Sequence, residues 1–183
     1  MKFSTAPGIL IAVPQLDDPN FHRSVVLMVE HNEKGALGLI VNLEVDHPSA
    51  AVADELGLTW PGRPNDRLRR GGPVEPQSLW MLHDDGWAFS ETMRVVPGVS
   101  VSRSREALTR MCEAREQRLV FLVGYAGWGA GQLEREIAQG AWLSSRASAE
   151  LVFEWPPDEV WTRALAAMGI DPAHLVEAAG EIQ

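Results

Sequence analysis

RLVFLVGYAGWGAGQLEREI, residues 118–137, runs from an apolar, strand-like segment through four glycines in eight positions into a helical pattern. Strand, glycine-rich turn, helix is also the order of phosphate-cradling loops. A Walker loop needs Lys and then Ser or Thr after its last glycine. Gly124 and Gly129 have the spacing, but Ala130 and Gly131 follow. The dinucleotide pattern GxGxxG fails at Gln132 in one register and at Glu134 in the other. Glu134 and Glu136 also fall in the first turns of the helix. Acids there complement the helix dipole by about 0.3–1 kcal/mol each and would repel a phosphate. The stretch is therefore read as a central strand and a structural turn. Trp128 is its packing anchor, Leu133 and Ile137 hold the helix to the sheet, and Gly140 ends it. If Gly127 or Gly129 has positive φ, alanine there is destabilising.

Working outward, GILIAVP (8–14) reads as a short buried strand. SVVLMVE (24–30) and ALGLIVN (36–42) read as a hairpin across HNEKG. Residues 49–57 suit a short helix between Pro48 and Gly57. Residues 60–77 lack periodicity and are read as a long loop. SLWMLH and WAFSETMRVV, on either side of DDG, read as a second hairpin. Residues 104–117 suit a helix capped by Ser104, with Leu108, Met111 and Cys112 on one face. AWLSS and ELVFEW (150–155) read as strands. Residues 156–169 and 171–180 suit helices that begin at prolines and end at Gly169 and Gly180. No repeat or linker interrupts the chain, so residues 1–183 are expected to form one mixed α/β domain.

The chain has 183 residues and a net charge of −9. Such acidity argues against broad nucleic-acid affinity, because neutralising phosphates needs a positive face. The last helix pattern carries no Lys or Arg to read a groove. The single cysteine, Cys112, excludes an internal disulfide and a Cys-rich zinc site. The apolar run Ile9–Val13 is too short for a signal-peptide core, and no 18-residue apolar stretch exists. The expectation is a cytoplasmic protein with no membrane association.

Three blocks, PGILIAVPQLDDPNFHRSVVLMVEHNEKGALGLIVN, GGPV and GYAGWGAGQLEREIAQGAWL, resemble the YqgE/AlgH family of bacterial proteins in order and spacing, over roughly residues 7–143. The resemblance implies an α+β fold: a bifurcated, mostly antiparallel sheet, partly closed into a small barrel and flanked by helices. It implies no settled activity. The family name suggests transcriptional regulation, of alginate production.

Candidate chemistry is sparse. Asp17 and Asp18 invite a paired-carboxylate reading, although Asp18 before Pro19 also suits a turn cap. His31, at a strand end beside Asn32, could act as a general base or bond its own turn. No HxH, HxxxH or HExxH spacing is present, so no metal site is expected. Nor is any cofactor. Arg63, Arg67, Arg69 and Arg70 form the only basic cluster, and arginine forks match phosphate and carboxylate. Arg69 and Arg70 are expected at the surface, contributing little to stability. If a ligand site exists, the expectation places it where Asp17, Asp18, His31, Asn32, Arg70, Gly71, Gly72 and Pro73 meet. Two classes of function remain. One is a non-enzymatic binding or regulatory protein, acting through a small ligand or protein partner. The other is an enzyme with a loop-built site using Asp17, Asp18 or His31.

Overall fold

The structure, a computed structural model, describes residues 3–116 and 118–175. Its strands are β1 (Gly8–Ala12), β2 (Val25–Asn32), β3 (Gly35–Ile40), β4 (Glu44–Pro48), β5 (Arg67–Arg70), β6 (Val74–His83), β7 (Met93–Val96), β8 (Val99–Ser102), β9 (Leu119–Gly129) and β10 (Trp142–Ser145). Its helices are α1 (Ser49–Glu55), α2 (Arg105–Glu113), α3 (Gln132–Ala138), α4 (Ala149–Phe153) and α5 (Pro157–Ala167), and residues 172–175 are helical. The proposed end at Gly180 lies outside the described residues.

The sheet runs β10-β1-β2-β3-β9-β6-β8-β7, with β4 and β5 as a side branch. All pairs are antiparallel except β5 with β9. β9 is the strand at which the sheet divides. Ala126–Gly129 pair with β3, whereas Leu122 and Val123 pair with β5 on that edge. The barrel expected from the resemblance is not present: β10 and β7 stand at opposite ends of the path and do not pair.

Both faces of the central strands are covered, which explains their continuous apolar runs. Along β1, Ile9 and Ile11 enter a core with Leu27, Leu122 and Trp161 of α5. Leu10 and Ala12 enter another with Met28, Trp128 and Leu133 of α3. A third core joins Leu68, Met81 and Phe121 to Met111 and Cys112 of α2. Burial raises the Cys112 thiol pKa.

Local signals decide most boundaries. The Ser104 hydroxyl accepts from Ala107 N–H at 3.1 Å to start α2. α5 opens with Pro157, Asp158 and Glu159 and stops before Gly169, whose φ is +72°.

Three further expectations are corrected. ELVFEW is not a strand: Ser148 caps Leu151 N–H and starts α4, so the apolar run is one face of a short helix. The hairpin across Asp84–Gly86 does not form. β6 pairs with β8 and β9, and β7 pairs with β8 alone across Pro97–Gly98. Finally, residues 60–77 are not one loop, since β5 and the start of β6 lie within them.

Glycines allow the chain to pass from β5 across β9 to β6. A Cβ on Gly72 would fall on the Tyr125 backbone, and one on Gly124 would fall on the Gly72 carbonyl oxygen. Gly72 and Gly124 also have φ of +157° and +72°. The GGPV and GYAG blocks are thus two sides of one backbone crossing. By contrast, neither Gly127 nor Gly129 has positive φ, and a Cβ on either would make only ordinary contacts.

Candidate functional site

Residues in the expected site fall into two groups. Asp17 and Asp18 are exposed in the β1–β2 connection. Asp18 is a turn cap: its Oδ1 accepts from Asn20 N–H at 2.8 Å, and its carbonyl accepts from Phe21 and His22. Arg70 joins this loop, with Nη2 donating to Asn20 Oδ1 at 2.7 Å. Gly71 and Gly72 are buried in the crossing, and Pro73 leads into β6. His31 and Asn32 lie at the far end of β2. The six residue steps from Val25 to His31 span about 20 Å at strand rise. The structure therefore ties the loop that carries Asp17 and Asp18 to Arg70 through Asn20 but leaves His31 and Asn32 elsewhere.

His31 is buried at the edge of a cavity of about 570 Å³ that Phe3, Lys34 and Glu134 also line. Thr5 N–H donates to His31 Nδ1 at 3.0 Å, and Thr5 Oγ1 is 3.0 Å from the same nitrogen. That leaves the ring proton on Nε2, 3.1 Å from Glu134 Oε1. The Glu134 carboxyl is held below its ordinary pKa by its own backbone N–H first and by His31 next. Both ring nitrogens are spent tying residues 4–6 and α3 to β2.

Trp128 is an anchor of the same kind. It is buried, stacks on Phe21 with centroids 6.1 Å apart, and meets Trp142 edge-on at 5.9 Å. Glu136 Oε2 accepts from both indoles, Trp128 Nε1 and Trp142 Nε1, at 2.9 Å each.

Three arginines of the cluster, Arg63, Arg67 and Arg69, line a different cleft, also about 570 Å³. One wall is the loop of residues 60–66 with β5. The other is the start of β9 with the α4–α5 junction. Arg63, Arg67, Arg69 and Arg118 line it with three carboxylates, Glu44, Asp66 and Glu154. Two cations are already paired. Arg67 bonds Asp46, and Arg118 Nη2 donates to Glu154 Oε1 at 2.6 Å. Asp66 Oδ2 is occupied by Arg63 N–H at 2.7 Å and Trp60 Nε1 at 3.3 Å, which fixes the loop.

Arg69 differs from its neighbours, and from the surface position expected for it. In β5, Leu68 points into the α1–α2 core, so Arg69 faces the opposite side. Its Nη1 donates to Val41 O at 2.7 Å and to Val152 O at 3.2 Å. Desolvation lowers its pKa to about 10, against the opposing pull of Glu44 and Asp66. Among the described residues no carboxylate lies within 4 Å of the guanidinium, and neither Nε nor Nη2 has a protein acceptor. The cleft thus contains a half-buried cation whose Nε and Nη2 donors have no protein acceptor among the described residues and remain open to solvent. The arginine run was legible in the sequence. Arg118, Ser49, Phe153 and Trp155 were not, because they reach the cleft only through tertiary structure.

The comparisons with known proteins agree with this fold. A family model described as AlgH-like matches residues 9–173. A UPF0301 protein of Myxococcus xanthus is 46% identical over 177 residues, covering 96% of this chain and 97% of that one. Another from Magnetococcus marinus is 38% identical over 180 residues, covering 97% of each. Among solved structures, the AlgH protein of Pseudomonas aeruginosa superposes with a TM-score of 0.74 at 32% identity, over 96% of this chain and 97% of that one. Protein DIP2367 of Corynebacterium diphtheriae gives 0.79 at 22% identity, covering 96% and 93%, a likeness of fold alone. Among the described residues no helix is long and apolar enough to cross a membrane. The chain belongs to the AlgH-like family.

Proposed function

We propose that this protein is a cytoplasmic, non-enzymatic binding protein whose small anionic ligand occupies the arginine cleft, and that any regulatory output passes through that ligand or a protein partner. The observation that carries this reading is Arg69. Arg69 is half-buried, and a cation partly withdrawn from water is stabilised by an acceptor that matches its free donors. Here Nη1 is matched by two carbonyls, Nε and Nη2 have no protein acceptor among the described residues, and Arg69 lines a cleft large enough for a small molecule. A bound anion supplies the missing partner. With a net charge of −9, the protein is not expected to read duplex DNA directly.

Thermal unfolding tests the reading. Sodium phosphate and sodium benzoate are compared with sodium chloride at matched ionic strength. A ligand of the native state stabilises by about 2.7 kcal/mol at a hundred times its Kd. The expected result is a saturable rise in Tm with at least one of the two anions, lost in Arg69→Met. Identical melting in all three salts overturns the anion-binding reading.

A further inference from the structure

The geometry points to a phosphate monoester as the ligand of this cleft, gripped side-on by Arg69 and completed by Ser49 and Arg63. This rests on the reading of the cleft as an anion site and narrows its chemistry. Arg69 Nη1 has two hydrogens, and Val41 O and Val152 O take both. The remaining Nε–H and Nη2–H groups include the parallel pair that grips two oxygens of one anion. A carboxylate, with two oxygens and one charge, would be used up by that pair.

The cleft offers more than a carboxylate can use. Ser49 is a buried residue whose hydroxyl has no protein partner among the described residues, and it lines the same cleft. Arg63 lines it too. Its backbone N–H holds Asp66, but its guanidinium has no protein partner among the described residues. A phosphate monoester carries a charge of about −1.5 to −2 at neutral pH and three terminal acceptor oxygens. It can accept from the Arg69 pair and still reach a hydroxyl and a second cation.

Charge limits the ligand to a single phosphate. Four arginines against three carboxylates leave the lining at only one net positive charge, too little for a di- or triphosphate. The organic part of the ester has apolar surface available at Trp60 and Phe153, which also line the cleft. Nothing in this assignment involves the glycine-rich turn at residues 124–131, which lies in the backbone crossing and the start of α3.

Calorimetric titration of the full chain with phenyl phosphate, inorganic phosphate and benzoate, at matched ionic strength, tests the assignment. Phenyl phosphate is expected to bind at least about tenfold more tightly than benzoate, the difference of roughly one charge-assisted hydrogen bond. Arg63→Ala is expected to weaken phenyl phosphate about tenfold while leaving benzoate within about threefold. Its exposed side chain is not part of the core, so its melting temperature reports whether folding is preserved. Benzoate binding as tightly as phenyl phosphate overturns the phosphate assignment and leaves the anion site standing. Inorganic phosphate binding as tightly as phenyl phosphate overturns the ester. Binding of none of the three overturns both this assignment and the reading on which it rests.

Discussion

Alanine at four glycines of the two glycine-rich blocks should separate into two classes. Gly124→Ala puts an L side chain at φ +72° and drives its Cβ onto the Gly72 carbonyl. The left-handed conformation costs about 1–2 kcal/mol, and forced overpacking adds about 1–3 kcal/mol. A loss of about 2–5 kcal/mol is expected, a large part of a typical total of about 5–15 kcal/mol. Gly72→Ala meets the Tyr125 backbone and should behave alike. At Gly127 the nearest atom to a new Cβ is Tyr125 Cε2 at 3.4 Å, and at Gly129 it is Gln132 Oε1 at 3.9 Å. Neither has positive φ, so alanine at either should change stability by about 0.5 kcal/mol or less. Urea unfolding of the four variants gives these values from the midpoints, provided m is unchanged. Equal losses across the four would refute the crossing as the reason for the glycines.

Arg69→Met keeps the apolar stem and removes two charged hydrogen bonds to carbonyls, each worth about 1.5–3 kcal/mol. Part of the cation's desolvation cost is recovered, so urea unfolding should show a net loss of about 2–4 kcal/mol. Arg70→Ala gives up one bond to Asn20 and should lose no more than about 1.5 kcal/mol by the same measurement. Trp128→Ala should cost about 3–5 kcal/mol, and Trp128→Phe, which loses the bond to Glu136, clearly less. His83 is fully buried, with Nδ1–H donating to Asp84 O and Nε2 accepting from Ser102, and burial lowers its pKa. The unfolded chain therefore binds the proton more readily, and stability should fall as pH drops below about 6.5. The slope is at most about 1.4 kcal/mol per pH unit, it levels off below the folded pKa, and it should be absent in His83→Gln.

Much of the fold was legible because its signals are local. Ser104 starts a helix, Pro157 with two acids starts another, and the run 119–123 is apolar enough to be central. The failures have equally physical causes. ELVFEW is too short for its period to distinguish helix from strand, and only the bond from Leu151 N–H to Ser148 decides. RLRR does not resemble a strand, because three of its four residues are charged. It becomes one by pairing with both β4 and β9. β8, VSVS, alternates with strand period but is only four residues long, too short for the pattern to carry weight by itself. For the candidate site, the arginine run was visible, but its meaning depends on which face of β5 each side chain takes. Leu68 fixes that by entering the core, and the opposite wall is supplied by residues some fifty to ninety positions later. His31 and Asp18 were visible as chemically capable groups. The sequence could not say that β2 holds their loops at opposite ends.

The most direct test of the anion site is to observe Arg69 itself. In a nitrogen-15 labelled sample the Arg69 Nε–H resonance is identified by its loss in Arg69→Lys. The protein is then titrated with phenyl phosphate and, in parallel, with benzoate and chloride at equal ionic strength. The account predicts that this resonance shifts saturably with phenyl phosphate, while the Arg103 Nε–H, on the other side of β9, does not move. An Arg69 resonance that stays fixed with both organic anions, or drifts equally with chloride, would contradict it.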